Sequence, residues 1–132
     1  MRWVEVTIAF FMCHLVGDYL LQTDWQARYK HRGLGRDPTA RRALVSHAFT
    51  YTLAFVPALA WLAGEVAAGW LAVTALAIGV PHFIQDDGRL TSLYLARVKG
   101  CDEHTLPFVA AAVDQTLHFV ALLAVAILVA PG

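Results

Sequence analysis

Charge is scarce in this chain and sums to nothing. Asp, Glu, Lys and Arg make up 15% of 132 residues, ten acidic against ten basic. With no net basic field, the chain offers a nucleic-acid backbone nothing to bind, and no nucleic-acid partner is expected. Cysteine is nearly missing. Cys13 lies in an apolar stretch and Cys101 in a polar one, which argues against a disulfide framework and gives neither a redox role. No strand-type alternation occurs anywhere, and no internal repeat beyond a recurring His/Asp spacing. The N-terminal run MRWVEVTIAFFMCHLVGDYLLQ has no small-residue cleavage site after its apolar segment, so it reads as a retained helix rather than a signal peptide. This length predicts one domain, residues 1–132.

What the chain has in excess is apolar surface. Hydrophobic residues reach 58%, above the roughly 45–50% of ordinary soluble domains. Four apolar stretches stand out, at 4–21, 44–63, 70–86 and 107–130. A bilayer crossing takes about 20 residues, so the expected fold is all-α, a bundle of four transmembrane helices. Polar loops run from Gln22 to Ala43 and from Asp87 to Leu106, with a tight connection around Gly64–Gly69. In the first loop Thr23 and Asp24 precede Trp25-Gln26-Ala27-Arg28, a cap signal for a short interfacial helix. Trp3, Trp25, Tyr29, Trp61 and Trp70 suit the headgroup zone. Gly33, Gly35 and Pro38 then interrupt the chain before the second stretch.

Nine of the ten Lys and Arg residues lie in the two polar loops, and only Arg2 lies elsewhere. Four spans put both loops on one side, so the positive-inside rule predicts an inner-membrane protein with cytoplasmic loops and both termini outside. The basic loop is read first as a topology determinant and second as a contact for anionic lipid headgroups.

Three of the stretches carry a histidine and an aspartate four residues apart: His14/Asp18, His82/Asp86 and Asp114/His118, while the second carries His47. Four residues is about one helical turn, so each pair shares a face. An ionisable group at the centre of a span costs about 2.5–3.5 kcal/mol to insert, and such groups are seldom idle. Counted from the loop-side helix ends, His14 lies about 10 Å deep, His47 and His82 about 5–8 Å, and Asp114 and His118 about 10–16 Å. All fall in one half of the membrane. The expected stripes are Thr7, Phe11, His14, Asp18 and Gln22; His47, Tyr51, Ala54 and Ala58; Gly79, His82, Asp86 and Arg89; and Ala111, Asp114, His118 and Ala121. Small residues among them allow close helix approach. Convergence on the axis would gather four imidazoles and three carboxylates.

Imidazole with carboxylate suits a divalent metal, Zn, Fe or Mn. The candidate ligands are His14, Asp18, His47, His82, Asp86, Asp114 and His118. Three histidines and one aspartate could bind directly, with the other carboxylates orienting the rings. An open position could activate water, with Asp18 or Asp114 as the catalytic carboxylate. Two other readings stand beside this one. The cluster could be interhelical hydrogen bonding helped by Thr50, Gln115 and Thr116. It could also be a proton or ion relay, although the outer half is almost purely apolar. His31 and His104 read as solvated loop residues, and Asp87 as interfacial.

The run HLVGDYLLQTDWQARYK (His14–Lys30), the later His47-Ala-Phe-Thr-Tyr-Thr, His82-Phe-Ile-Gln-Asp86 and Asp114-Gln115-Thr-Leu-His118 together resemble the small bacterial and phage membrane proteins catalogued as domain of unknown function 3307. The resemblance spans about His14 to His118. It implies a four-helix membrane protein with those seven His and Asp residues as signature positions, and it carries no established activity. A lysine commonly accompanies the third-span motif in that family, a place that Arg89 or Lys99 would fill here. A looser likeness to membrane-bound metal-dependent hydrolases is analogy. The resulting expectation is a multi-pass membrane protein with a metal site near the cytoplasmic leaflet, possible as a hydrolase of a lipid-linked or amphiphilic substrate. Its partners would be the lipid bilayer, that substrate and a second copy of the chain, although no heptad or Gly-x-x-x-Gly face marks a dimer.

Overall fold

Helix is the only regular structure among the described residues, which are 2–130 of this computed structural model. Helix α1 (Arg2–Leu15) runs into a π-helical turn, Val16–Leu20. Such turns insert one residue into the helical ladder and commonly sit at functional sites; this one carries Asp18. Gly17 lies inside it, where a Cβ would stand 2.7 Å from the Tyr51 ring. Glycine therefore lets the turn press against the next long helix.

Helix α2 (Asp24–Tyr29) is short and fully capped. Thr23 Oγ1 accepts from Gln26 N at 3.2 Å, and Thr23 N donates to Gln26 Oε1 at 2.9 Å. The Gln26 amide also donates to Ser46 Oγ at 3.2 Å, which ties α2 to α3. Chain reversal follows at Arg32, in the left-handed region with φ 62°. At Gly33 a Cβ would meet Leu44 Cβ at 2.6 Å, so only glycine passes there.

Helix α3 (Pro38–Leu53) starts with Asp37 as its cap and Pro38 in its first turn. It begins well before the expected Leu44, because that cap nucleates it inside the polar loop. The apolar stretch 44–63 is not one continuous helix. The helix breaks after Leu53, restarts as α4 (Val56–Leu62), and the two parts meet at a bend of 41°. Pro57 in the first turn of α4 supplies no backbone donor to the turn before it, which is the physical reason for the break.

Helix α5 (Ala68–Asp86) contains Pro81 and is followed by Gly88, φ 80°. The second polar loop is not loop throughout: it holds α6 (Arg89–Tyr94) and a π-helical turn, Leu95–Lys99. Thr91 and Leu95, one turn apart, are buried and hold this segment on the body of the protein. Helix α7 (Pro107–Val129) completes the chain.

Helix α1 packs on α7, α7 on α5, α5 on α3, and α3 on the π turn that extends α1. An apolar core of Val6, Phe10, Phe55, Leu62, Ile78 and Leu122 fills the terminus side of this arrangement. The histidines lie on its loop side. Three helical segments (2–20, 68–86 and 107–129) are long and apolar enough to cross a membrane, and α3 with α4 would make a fourth as one bent span. Only 22–28% of the residues in the three candidate windows are buried inside the protein, so most of their apolar surface faces outward.

Candidate metal centre

Each of the four long helical arms delivers part of one buried polar cluster. The π turn supplies Asp18 and the end of α1 supplies His14. Helix α3 brings His47 and Tyr51, α5 brings His82 and Asp86, and α7 brings Asp114, Gln115 and His118. His14, Asp18, His47, His82, Asp86 and His118 are all buried, while the Asp114 side chain remains 29% exposed.

Four ligand-type atoms face one another at the centre. His47 Nε2 lies 3.3 Å from Asp18 Oδ1, 2.9 Å from Asp86 Oδ2 and 3.1 Å from His82 Nε2. His82 Nε2 lies 3.6 Å from Asp18 Oδ1 and 3.3 Å from Asp86 Oδ2. A tetrahedral ion with ligands at about 2.0–2.1 Å has ligand-to-ligand edges of about 3.3–3.4 Å. These five separations fall around that edge. Hydrogen bonding leaves gaps on both sides of the rings: Asp18 Oδ1 among the facing atoms, and His47 Nδ1 and His82 Nδ1 on the far side, are buried without a partner. Buried polar atoms are rarely left so, and each costs about 1–3 kcal/mol. One ligand-type atom each from His47, His82 and Asp86 falls within 4.8 Å of the others, as does one each from His14, Asp18 and His82, and such imidazole and carboxylate sets fit a divalent cation.

His14 does something different. Its Nδ1 is 3.0 Å from the Tyr51 hydroxyl, which can donate to it, and its Nε2 can donate to Gln115 Oε1 at 3.0 Å. Both nitrogens are engaged, so His14 braces the cluster, and one of them still lies within 4.8 Å of ligand-type atoms of Asp18 and His82. Its companion Asp18 Oδ2 is 3.6 Å away. Of the hydrogen-bond links expected, Gln115 joins the cluster. Thr50 and Thr116 return to carbonyls of their own helices. Gln85, not anticipated, donates to Leu117 O at 3.1 Å and ties α5 to α7.

The basic residue at the site is Lys30, not Arg89 or Lys99. Lys30 Nζ sits 2.6 Å from Asp86 Oδ2, reaching in from the end of α2. With its amide oxygen turned toward Lys30, Gln22 accepts from the same Nζ at 2.7 Å. Arg89 is half exposed and pairs instead with Asp87 at 3.1 Å, and Lys99 is exposed. Asp87 lies outside the cluster, as expected, and is fully buried in the protein. Its carboxylate accepts from Leu34 N at 2.7 Å and its carbonyl from Arg32 N at 2.9 Å. Asp87 thus clamps the first polar loop, and with it α2 and Lys30, over the cluster.

The shoulders of the stripes differ from expectation as well. On α1 the buried face is Val6, Phe10 and His14, with Phe11 turned outward, because Phe10 packs edge-on against Phe55. Ala111 of α7 is exposed.

A cavity of about 430 Å³ opens beside the cluster, with His31, Thr91, Glu103, His104, Pro107 and Asp114 in its wall. Asp114 is the residue it shares with the cluster. Thr91 Oγ1 donates to Asp114 Oδ1 at 3.0 Å. His31 and His104 are exposed, as loop residues should be, and both border this cavity. In the nearby loop, Asp102 accepts from Thr105 N, Thr105 Oγ1 and His104 N, which holds its carboxyl below the usual carboxylate range.

No curated protein and no solved structure matches this chain. A family model described as "Protein of unknown function (DUF3307)" matches residues 6–131, nearly the whole length, and the chain belongs to that family.

Proposed function

We propose that this chain is a multi-pass protein of the inner membrane, folded as a four-helix transmembrane bundle. It holds a divalent cation at His47, His82, Asp18 and Asp86, close to the cytoplasmic leaflet, and hydrolyses a lipid-linked or amphiphilic substrate. The observation that carries the metal reading is the close approach of His47 Nε2, His82 Nε2, Asp18 Oδ1 and Asp86 Oδ2, with Asp18 Oδ1 buried and lacking a hydrogen-bond partner. Zinc, iron and manganese all suit such ligands. Membrane residence is supported by the outward apolar faces, and orientation by the concentration of Lys and Arg in the two polar loops. In this reading α2 lies along the headgroup layer, with Trp25 and Tyr29 partly exposed on it.

A bound ion of this kind supplies Lewis acidity and a water of lowered pKa. The protein supplies the rest. Lys30 and the outer hydrogen bonds fix the ligand carboxylates, Tyr51 fixes the plane of His82, and the cavity admits a polar head group alongside α7. Asp18 faces the ring with Oδ1, so proton acceptance falls to Asp114 at the cavity wall. The relay reading is weaker, because the apolar core on the terminus side gives a charge no onward path. The purely structural reading leaves the buried, unpartnered Asp18 Oδ1 unexplained.

Elemental analysis of the detergent-purified protein tests this. Stoichiometric Zn, Fe or Mn is expected in the parent chain, and its loss in His47→Ala and Asp18→Asn. Clearly substoichiometric metal after growth and purification with each ion supplied would overturn the reading.

A further inference from the structure

The ring of four atoms leaves part of the cluster unused. Asp86 turns Oδ2 toward His47 and His82, but its other oxygen, Oδ1, faces His118 Nε2 at 3.3 Å. His118 Nδ1 donates to the Asp114 carbonyl at 2.8 Å, which fixes the ring and leaves Nε2 as the free nitrogen. That nitrogen has no hydrogen-bond partner although its side chain is only 1% exposed. A lone pair and a carboxylate oxygen therefore face each other in a buried site. The Asp114 carboxylate lies beside them, with Oδ2 3.7 Å from His118 Nδ1. One ligand-type atom each from Asp86, Asp114 and His118 falls within 4.8 Å of the others.

We propose that a second divalent cation binds between Asp86 Oδ1, His118 Nε2 and the Asp114 carboxylate, with Asp86 bridging it to the first. The inference rests on the first site's being a metal site. It adds that the centre is binuclear. A carboxylate bridging two ions is a recurrent arrangement in hydrolytic enzymes, where paired ions stabilise both the attacking and the leaving oxygen. The two positions differ in access. His47, His82, Asp18 and Asp86 are enclosed, whereas Asp114 borders the 430 Å³ cavity, so the second ion would be the one that substrate meets. Asp114 then divides its two oxygens between ligation and proton acceptance.

The competing state is a doubly protonated His118, donating to both the Asp114 carbonyl and Asp86 without an ion. Metal counting separates the two. The purified protein is loaded with Mn(II), freed of excess metal and counted, and its electron paramagnetic resonance spectrum is recorded. Two ions per chain with an exchange-coupled spectrum are expected. Asp114→Asn and His118→Ala should each leave one ion and an uncoupled spectrum. Asp114 is partly exposed, so its variant tests the idea even if His118→Ala misfolds. One ion in the parent chain, lost on His47→Ala and unaffected by Asp114→Asn, would overturn the second site and spare the first. No ion at all, after loading with Mn(II), Zn(II) and Fe(II) in turn, would overturn both.

Discussion

Tyr51 lies flat on His82, ring centroids 3.3 Å apart and planes within 1°, while its hydroxyl reaches His14 Nδ1 at 3.0 Å. One aromatic residue thus sets the plane of an imidazole that faces the cluster and orients another that braces it. Outer partners of this kind are worth about 10–100-fold in metal affinity. Tyr51→Phe keeps the stack and drops a hydroxyl that reaches only His14, so metal affinity should hold within a few-fold with the count unchanged. Tyr51→Leu removes both contacts and should cost about 100-fold. Competition against a chromophoric chelator reads both values. Gly17→Ala should move affinity in the same direction, because its Cβ would push into the Tyr51 ring.

His14 and His47 look alike in the sequence and should behave oppositely. His14→Ala leaves the Tyr51 hydroxyl and the Gln115 carbonyl without partners, at about 1–3 kcal/mol each, yet removes only nitrogens already engaged in hydrogen bonds. The variant should melt earlier and still carry its metal. His47→Ala should lose the metal, since its Nε2 touches Asp18, Asp86 and His82 at once. Thermal unfolding and metal content, measured on both variants, give the crossed pattern. Loss of metal in His14→Ala with unchanged stability would reverse the assignment.

These contrasts show where sequence reasoning stops. Helical spacing makes the pairs His14/Asp18, His82/Asp86 and Asp114/His118 visible, because four residues make one turn whatever the tertiary structure does. The division of labour within the cluster is not local. His14 is taken out of the ring by Gln115, which lies 101 positions away. Lys30 reaches Asp86 across 56 positions only because Arg32 turns left-handed, Gly33 passes under Leu44, and Asp87 clamps the loop. The break between α3 and α4 carried a visible signal in Pro57. Helix α6 carried little: it is six residues long, and its burial through Thr91 depends on α7 lying beside it.

Lys30→Gln separates a metal centre from a simple ion-pair network. Removing one partner of a buried pair leaves the other charge uncompensated, at about 3–5 kcal/mol. Lys30 keeps some exposure, so the lower end of that range is expected. If Asp18 and Asp86 also bind a cation, added Zn(II) should restore most of the lost stability, because a ligand that binds only the folded state stabilises it by mass action. Metal affinity itself should rise, since a positive charge 2.6 Å from a ligand oxygen opposes a second cation. Melting curves with and without Zn(II) supply the check. A destabilised variant that Zn(II) fails to rescue would leave Lys30 as the only cation the carboxylates need.

Orientation is testable with the two native cysteines. Cys101 lies in the second polar loop and is partly accessible, whereas Cys13 sits in α1, packed against the apolar core. With the loops cytoplasmic, a membrane-impermeant maleimide should label Cys101 in inverted vesicles and spare it in intact cells with a permeabilised outer envelope. Cys13 should resist in both, and Cys101→Ser should abolish the signal. The expectation rests on nine of ten Lys and Arg residues lying in the two polar loops. Labelling of Cys101 in intact cells would invert the chain without disturbing one distance within the cluster. Asp114 and the cavity beside it would then open to the opposite face, and the substrate would have to be sought there.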